Sequence, residues 1–271
     1  MRIDELPRAK GRPEPLVWVT AYDYPMARMV EEAGVDTILV GDSYGNVVLG
    51  YDTTLPVTLD DMVRAAAAVM RGAPGTLRVV DLPFLSYATL DRALESAERV
   101  MREAGAHAVK LEGGEAVAAV VERLTAHGVP VGGHLGYTPQ SALLLGRRVQ
   151  GRSDEAAERL VADAKALEEA GVSAIVLELV PAEVAERVTE ATSVPTIGIG
   201  AGLSCDGQVL VLHDLIGLTQ GSVPKLARRY ADVSGAIRDA VAEYARDVRS
   251  RTFPTEENTV HRTRTPRVSQ A

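Results

Sequence analysis

Short apolar runs alternate along most of the chain with longer stretches in which apolar positions recur three or four residues apart. The first kind reads as buried strands and the second as amphipathic helices. The runs Val17–Ala21, Thr37–Val40, Leu77–Val80, Ala108–Glu112, Pro130–His134, Ala174–Val180, Thr196–Gly200 and Gln208–Leu212 predict eight strands. Between and after them the pattern predicts helices at Pro25–Glu32, Leu59–Met70, Leu90–Ala104, Glu115–His127, Asp154–Ala170, Ala182–Thr192 and within Pro224–Ser250. Residues 1–15 are polar with three prolines and read as a lead-in rather than a core element. Strict strand–helix alternation with eight strands predicts an α/β fold, a (β/α)₈ barrel, with an open doubly wound sheet as the alternative. No linker divides the chain: residues 1–261 read as a single catalytic domain and 262–271 as a flexible tail.

Two connections are too long to be mere turns: Gly41–Thr58, and Leu135 to about Ser153. In a barrel the carboxyl ends of the strands carry the site, and here they end in chemically useful side chains. Asp42, with Ser43 beside it, follows the second strand, and Asp81 ends the third. Lys110 and Glu112 lie on the fourth, His134 ends the fifth, and Glu178 lies near the end of the sixth. Lys110 and Glu112 are two apart, so both point to one side of their strand, which in a barrel is the interior.

A lone Asp at such a place serves equally well as a cap or turn residue. Three carboxylates from consecutive strands repel one another and call for a cation, and all-oxygen donors select a hard ion: Mg²⁺ first, with Mn²⁺ or Co²⁺ as substitutes. Glu178 sits among Val176, Leu177, Leu179 and Val180, which predicts an apolar setting and a raised pKa suited to a general base, or else a buried Glu paired with a barrel cation. Lys110 either neutralises the acids or binds a substrate oxygen, and His134 is either a substrate contact or structural. Gly198, Gly200 and Gly202 fit phosphate binding or close packing.

A net charge of −8 provides no basic surface for nucleic acid or anionic membrane, leaving small molecules as partners. The single cysteine, Cys205, fits a reducing compartment, and no apolar run approaches membrane-spanning length. A cytoplasmic location is expected.

The stretches Val19-Thr20-Ala21-Tyr22-Asp23, Gly41-Asp42-Ser43, Gly50-Tyr51-Asp52-Thr53-Thr54-Leu55-Pro56-Val57-Thr58, Asp81-Leu82-Pro83-Phe84, Val109-Lys110-Leu111-Glu112-Gly113-Gly114, Gly133-His134-Leu135-Gly136 with Thr138-Pro139-Gln140-Ser141, Leu177-Glu178, and Gly198-Ile199-Gly200-Ala201-Gly202 with Asp206-Gly207-Gln208 occur in order. Together they resemble the ketopantoate hydroxymethyltransferase family. The resemblance implies a barrel of the phosphoenolpyruvate/pyruvate superfamily type, assembled as a homodecamer of two stacked pentamers. It also implies transfer of a one-carbon unit from 5,10-methylenetetrahydrofolate to 3-methyl-2-oxobutanoate, giving 2-dehydropantoate for pantothenate synthesis.

Position by position, the resemblance implies Mg²⁺ binding by Asp42, Asp81 and Glu112, and substrate contacts from Asp42, Ser43, Asp81, Lys110 and His134. Glu178 corresponds to the proton acceptor. Tyr44 and Tyr137 stand where the family usually has leucine, near the expected mouth, and the loop at Leu145–Arg148 is about one residue shorter. The alternatives are a Mg²⁺-dependent C–C lyase or mutase acting on another 2-oxo acid, and a catalytically silent barrel.

Overall fold

In the computed structural model, which describes residues 1–219, 221 and 225–261, eight parallel strands close into a barrel in chain order. They are β1 (Leu16–Thr20), β2 (Thr37–Val40), β3 (Leu77–Asp81), β4 (Ala108–Glu112), β5 (Val131–Gly136), β6 (Ala174–Glu178), β7 (Thr196–Ile199) and β8 (Gly207–Leu210). The barrel shuts where β8 pairs with β1, with Leu16 opposite Gly207 and Trp18 opposite Val209. The open-sheet alternative is thereby removed.

Alternation along each strand sorts side chains into two cores. Trp18, Leu39, Val79, Ala108, Val176 and Ile197 fill the barrel interior, while Ile38, Val80, Leu111, Ile175 and Leu177 face the surrounding helices. Those helices are α1 (Tyr24–Glu32), α3 (Leu59–Gly72), α4 (Leu90–Arg102), α5 (Glu115–Ala126), α7 (Asp154–Glu169) and α8 (Ala182–Ala191). Side-chain caps set the starts of α1, α3, α4 and α7: Asp23 accepts from the Met26 amide, Thr58 and Asp61 form a reciprocal capping box, Thr89 accepts from the Arg92 amide and Ser153 from the Ala156 amide.

Several expectations need correction. The lead-in is part of the core: a 3₁₀ segment at Ile3–Ala9 carries Leu6 and Ala9, both buried, into the interior cluster with Leu16 and Trp18. Burying Leu6 contributes about 2 kcal/mol, which the segment's polar composition concealed. The first long loop contains a one-turn helix, α2 (Tyr44–Val47), in which Gly45 lies so close to Val57 that a Cβ would fall 2.5 Å from its Cγ2.

Strand β5 runs two residues past His134, whereas β6 ends at Glu178 because Leu179 adopts φ 50°. A short α6 (Ala142–Leu145) lies in the second long loop, and β8 gives way to α9 (Leu212–Leu215). The terminal helix α10 begins only at Val233, capped by Asp232, and runs to Ser250. The expected tail, 262–271, lies outside the described residues.

Candidate active site

The carboxyl ends of β2 to β6 border a cavity of about 760 Å³ whose wall includes Asp42, Ser43, Asp81, Lys110, Glu112, His134 and Glu178. All seven residues singled out from the sequence therefore face one space. Strand register explains this. Asp81 is paired with Lys110, and Glu112 with His134, so adjacent strands deliver functional groups to neighbouring inward positions. Gly132 lies opposite Lys110, where an added Cβ would make an ordinary 3.6 Å contact with Lys110 Cγ.

The polar groups form a continuous chain. Lys110 Nζ lies 2.9 Å from Asp81 Oδ1, and Asp81 Oδ2 accepts from the Asp42 amide at 3.1 Å. His134 Nδ1 is within reach of both Lys110 Nζ (3.1 Å) and Glu112 Oε1 (3.3 Å), while Nε2 faces Glu178 Oε2 at 3.4 Å. Protonated, Nδ1–H faces Glu112; neutral, Nδ1 accepts from Lys110. Burial and Lys110 disfavour the charged ring, but Glu112 and Glu178 outweigh them and its pKa is pushed up to about 9.

Burial likewise works against a charged Lys110, but Asp81, Glu112 and Asp42 hold its pKa above the ordinary lysine value. Asp42 is lifted well above the usual carboxylate range, first by burial and then by the charges of Asp81 and Glu112. The expected apolar setting of Glu178 is not what surrounds it. Strand alternation turns Leu177 outward into the helix-facing core, whereas Glu178 follows Val176 inward, its side chain 18% exposed beside an imidazole. The backbone there is tightly held: Gly136, at φ 89°, is so close to β6 that a Cβ would lie 2.2 Å from the Glu178 carbonyl oxygen.

Three polar residues had no role in the sequence reading. Gln140, buried, donates its amide Nε2 to Asp42 Oδ2 (2.8 Å) and to the Leu82 carbonyl (3.0 Å), and its backbone N–H to Glu112 Oε2 (2.9 Å). Tyr87 OH donates to Gln140 Oε1 at 2.6 Å and accepts from the Glu112 amide at 3.3 Å. Tyr22 OH is 2.8 Å from Ser43 Oγ, and burial raises its pKa, so it remains a neutral phenol. Gln140 and Tyr22 lie in the family-like stretches, but only tertiary contact reveals their partners.

Of Tyr44 and Tyr137, Tyr137 lines the cavity. Tyr44 instead packs against Tyr22, ring centroids 5.8 Å apart. The glycines in and just after β7 serve close packing: a Cβ at Gly198, within the strand, would come 3.1 Å from Cys205 Sγ, and one at Gly202 would fall 2.6 Å from Ala182 Cβ.

The donor set fits a hard divalent cation in chemistry, since three buried carboxylates share one ammonium and one imidazole and Asp42 resists ionising beside the others. Among the described residues no three acidic, histidine or cysteine side chains already stand as a coordination shell. Asp81 and Glu112 direct oxygens to Lys110, His134 and Gln140, so an ion drawing on Asp42, Asp81 and Glu112 would exchange some of those bonds for its own.

The family model described as ketopantoate hydroxymethyltransferase matches residues 1–256. A 3-methyl-2-oxobutanoate hydroxymethyltransferase of Gluconacetobacter diazotrophicus is 57% identical over 89% of this chain and 87% of its own length. One from Thermus thermophilus is 54% identical over 94% and 98%. Among solved structures, a 2,3-dimethylmalate lyase of the PEP mutase/isocitrate lyase superfamily superposes with TM-score 0.60 at 18% identity, covering 95% of this chain and 91% of that one. That likeness speaks for the barrel alone, whereas the sequence match extends through every segment that builds the cavity: the chain belongs to the ketopantoate hydroxymethyltransferase family.

Proposed function

We propose that the chain transfers a hydroxymethyl unit from 5,10-methylenetetrahydrofolate to 3-methyl-2-oxobutanoate, forming 2-dehydropantoate for pantothenate synthesis. The observation that carries this reading is the placement of an accessible carboxylate, Glu178, across one cavity from the Asp42–Asp81–Lys110–Glu112 cluster in a member of this family. A proton acceptor facing groups that bind an oxyanion is what C–H removal next to a carbonyl requires.

Asp42, Asp81 and Glu112 would hold Mg²⁺, with Mn²⁺ or Co²⁺ as substitutes. When bound, the ion supplies Lewis acidity toward the keto and carboxylate oxygens of the 2-oxo acid. Lys110 and Ser43 orient those oxygens, Lys110 as a buried ammonium and Ser43 fixed by Tyr22. Glu178 takes the C3 proton, leaving an enolate. His134, at 3.4 Å, orients the Glu178 carboxylate and offsets its charge. The C3 carbon attacks the one-carbon unit, water supplies the hydroxyl, and tetrahydrofolate leaves.

The reaction belongs to the cytoplasm in this reading; no helix among the described residues is long and apolar enough to cross a membrane. Assembly into a decamer of two stacked pentamers is part of the proposal. It is supported by α10, whose exposed Ile237, Val241, Tyr244 and Val248 recur at helical spacing and form an apolar stripe.

The test is hydrogen–deuterium exchange at C3 of 3-methyl-2-oxobutanoate, followed by NMR with Mg²⁺ and without folate. Exchange by the native chain that needs the metal and falls at least about 100-fold in Glu178→Gln is the expected result. Full exchange in the variant would remove Glu178 from the role. If the native chain is silent, repeating the assay with the folate present distinguishes ordered binding from a wrong 2-oxo acid.

A further inference from the structure

The cavity is much larger than a five-carbon acid needs; at about 760 Å³ it has the size of sites that enclose drug-sized ligands. Its deep end is the polar cluster. One side of its wall comes from the second long connection: Tyr137, Pro139, Ala142, Leu143 and Arg147. That side is apolar apart from the Tyr137 hydroxyl and the Arg147 guanidinium.

The connection is held in place by its backbone. The Tyr137 amide donates to the Glu178 carbonyl at 2.8 Å, Gln140 ties it to Asp42 and Glu112, and the Gln150 amide donates to the Leu179 carbonyl at 2.9 Å. Its two adjacent arginines differ. Arg148 Nε donates to the Leu145 carbonyl at 2.7 Å, whereas Arg147 is exposed and has no hydrogen bond or ion pair among the described residues. Lys110 and His134, the other cationic or basic groups on the described wall, are buried among carboxylates. Burial raises the pKa of the Tyr137 phenol, the Glu178 charge adds to that rise and Arg147 opposes it, so the Arg147 charge is felt at a residue that also feels Glu178.

An anionic ligand meets acids elsewhere on the rim, Asp52 among them, and Arg147 is the outward cation it would find. Leu143, 81% exposed, gives the same wall an uncovered apolar surface. The arrangement suits a ligand with a flat apolar body and a carboxylate-bearing end.

We infer that Arg147 binds the glutamyl carboxylates of the folate donor, with the donor's aromatic body lying along Leu143 and Tyr137. This assignment rests on the folate reading above and adds the direction in which the donor leaves the cavity.

The test is calorimetric binding of tetrahydrofolate and of tetrahydropteroate, which lacks the glutamate, to the native chain and to Arg147→Ala and Arg147→Lys, with Mg²⁺ and the 2-oxo acid present under anaerobic reducing conditions. The native chain should prefer tetrahydrofolate by about tenfold, as expected for a partly exposed guanidinium–carboxylate pair. Arg147→Ala should lose most of that preference while tetrahydropteroate affinity stays within about twofold, Arg147→Lys should keep part of it, and salt should erode it. Equal weakening of both ligands, or of neither, would overturn the assignment, as would equal native affinity for the two. Failure of the native chain to bind either ligand would overturn the folate reading and the assignment together.

Discussion

Replacing Gln140 by alanine removes the strut that joins the second long connection to the acidic cluster. The lost bonds are one to a carboxylate, Asp42 at 2.8 Å, and two neutral ones, to the Leu82 carbonyl at 3.0 Å and from Tyr87 at 2.6 Å. A neutral bond contributes about 1 kcal/mol and one to an ionised acceptor about 1.5–3 kcal/mol, and because Asp42 resists ionising the three sum to about 3–4 kcal/mol. Water entering from the adjoining cavity restores a part, leaving an expected loss of about 2–3 kcal/mol. Urea unfolding at fixed protein concentration measures it as a lower midpoint with unchanged slope. Tyr87→Phe breaks the same network from the other side, so a double-mutant cycle should return a coupling of about 1 kcal/mol. A loss below about 0.5 kcal/mol, the range of ordinary surface substitutions, or strictly additive effects would refute the strut.

Asp81→Asn keeps the shape of the side chain but takes one carboxylate from the cluster and the counter-charge from Lys110; Mg²⁺ affinity by calorimetry should fall at least about 100-fold, more than changes outside a metal's ligand shell usually cost. Unchanged Mg²⁺ binding would exclude Asp81 from the site. At the opposite end of the barrel, burial disfavours the Asp206 carboxylate, but the amides of Thr196 and Gly11 and the Lys10 ammonium outweigh it and hold its pKa below the ordinary value. A depressed folded pKa means that its contribution is complete above the unfolded value of about 3.9 and is lost as pH falls through the folded one. Asp206→Asn should therefore lower stability at neutral pH and flatten the acid limb below about pH 4. Parallel stability–pH curves for the two proteins would contradict that account.

The sequence alone determined the alternation of eight strands with helices, because periods of two and 3.6 are written in the order of side chains. It also determined which residues stand at the strand ends, and from those the side of the sheet they share: Lys110 and Glu112, two apart on β4, both point inward. What it left open depends on the other side of the barrel. Whether Glu178 lies among apolar groups was misread because its neighbours in sequence, Leu177 above all, point to the opposite face, and its neighbour in space is His134. Leu6 looked like part of a polar lead-in until closure of β8 on β1 created an interior for it to fill. Gln140 reaches Asp42 across 98 positions of chain. Only the tertiary structure decided that contact, because a hydrogen bond depends on distance in space, and closure of the barrel sets that distance where local periodicity cannot.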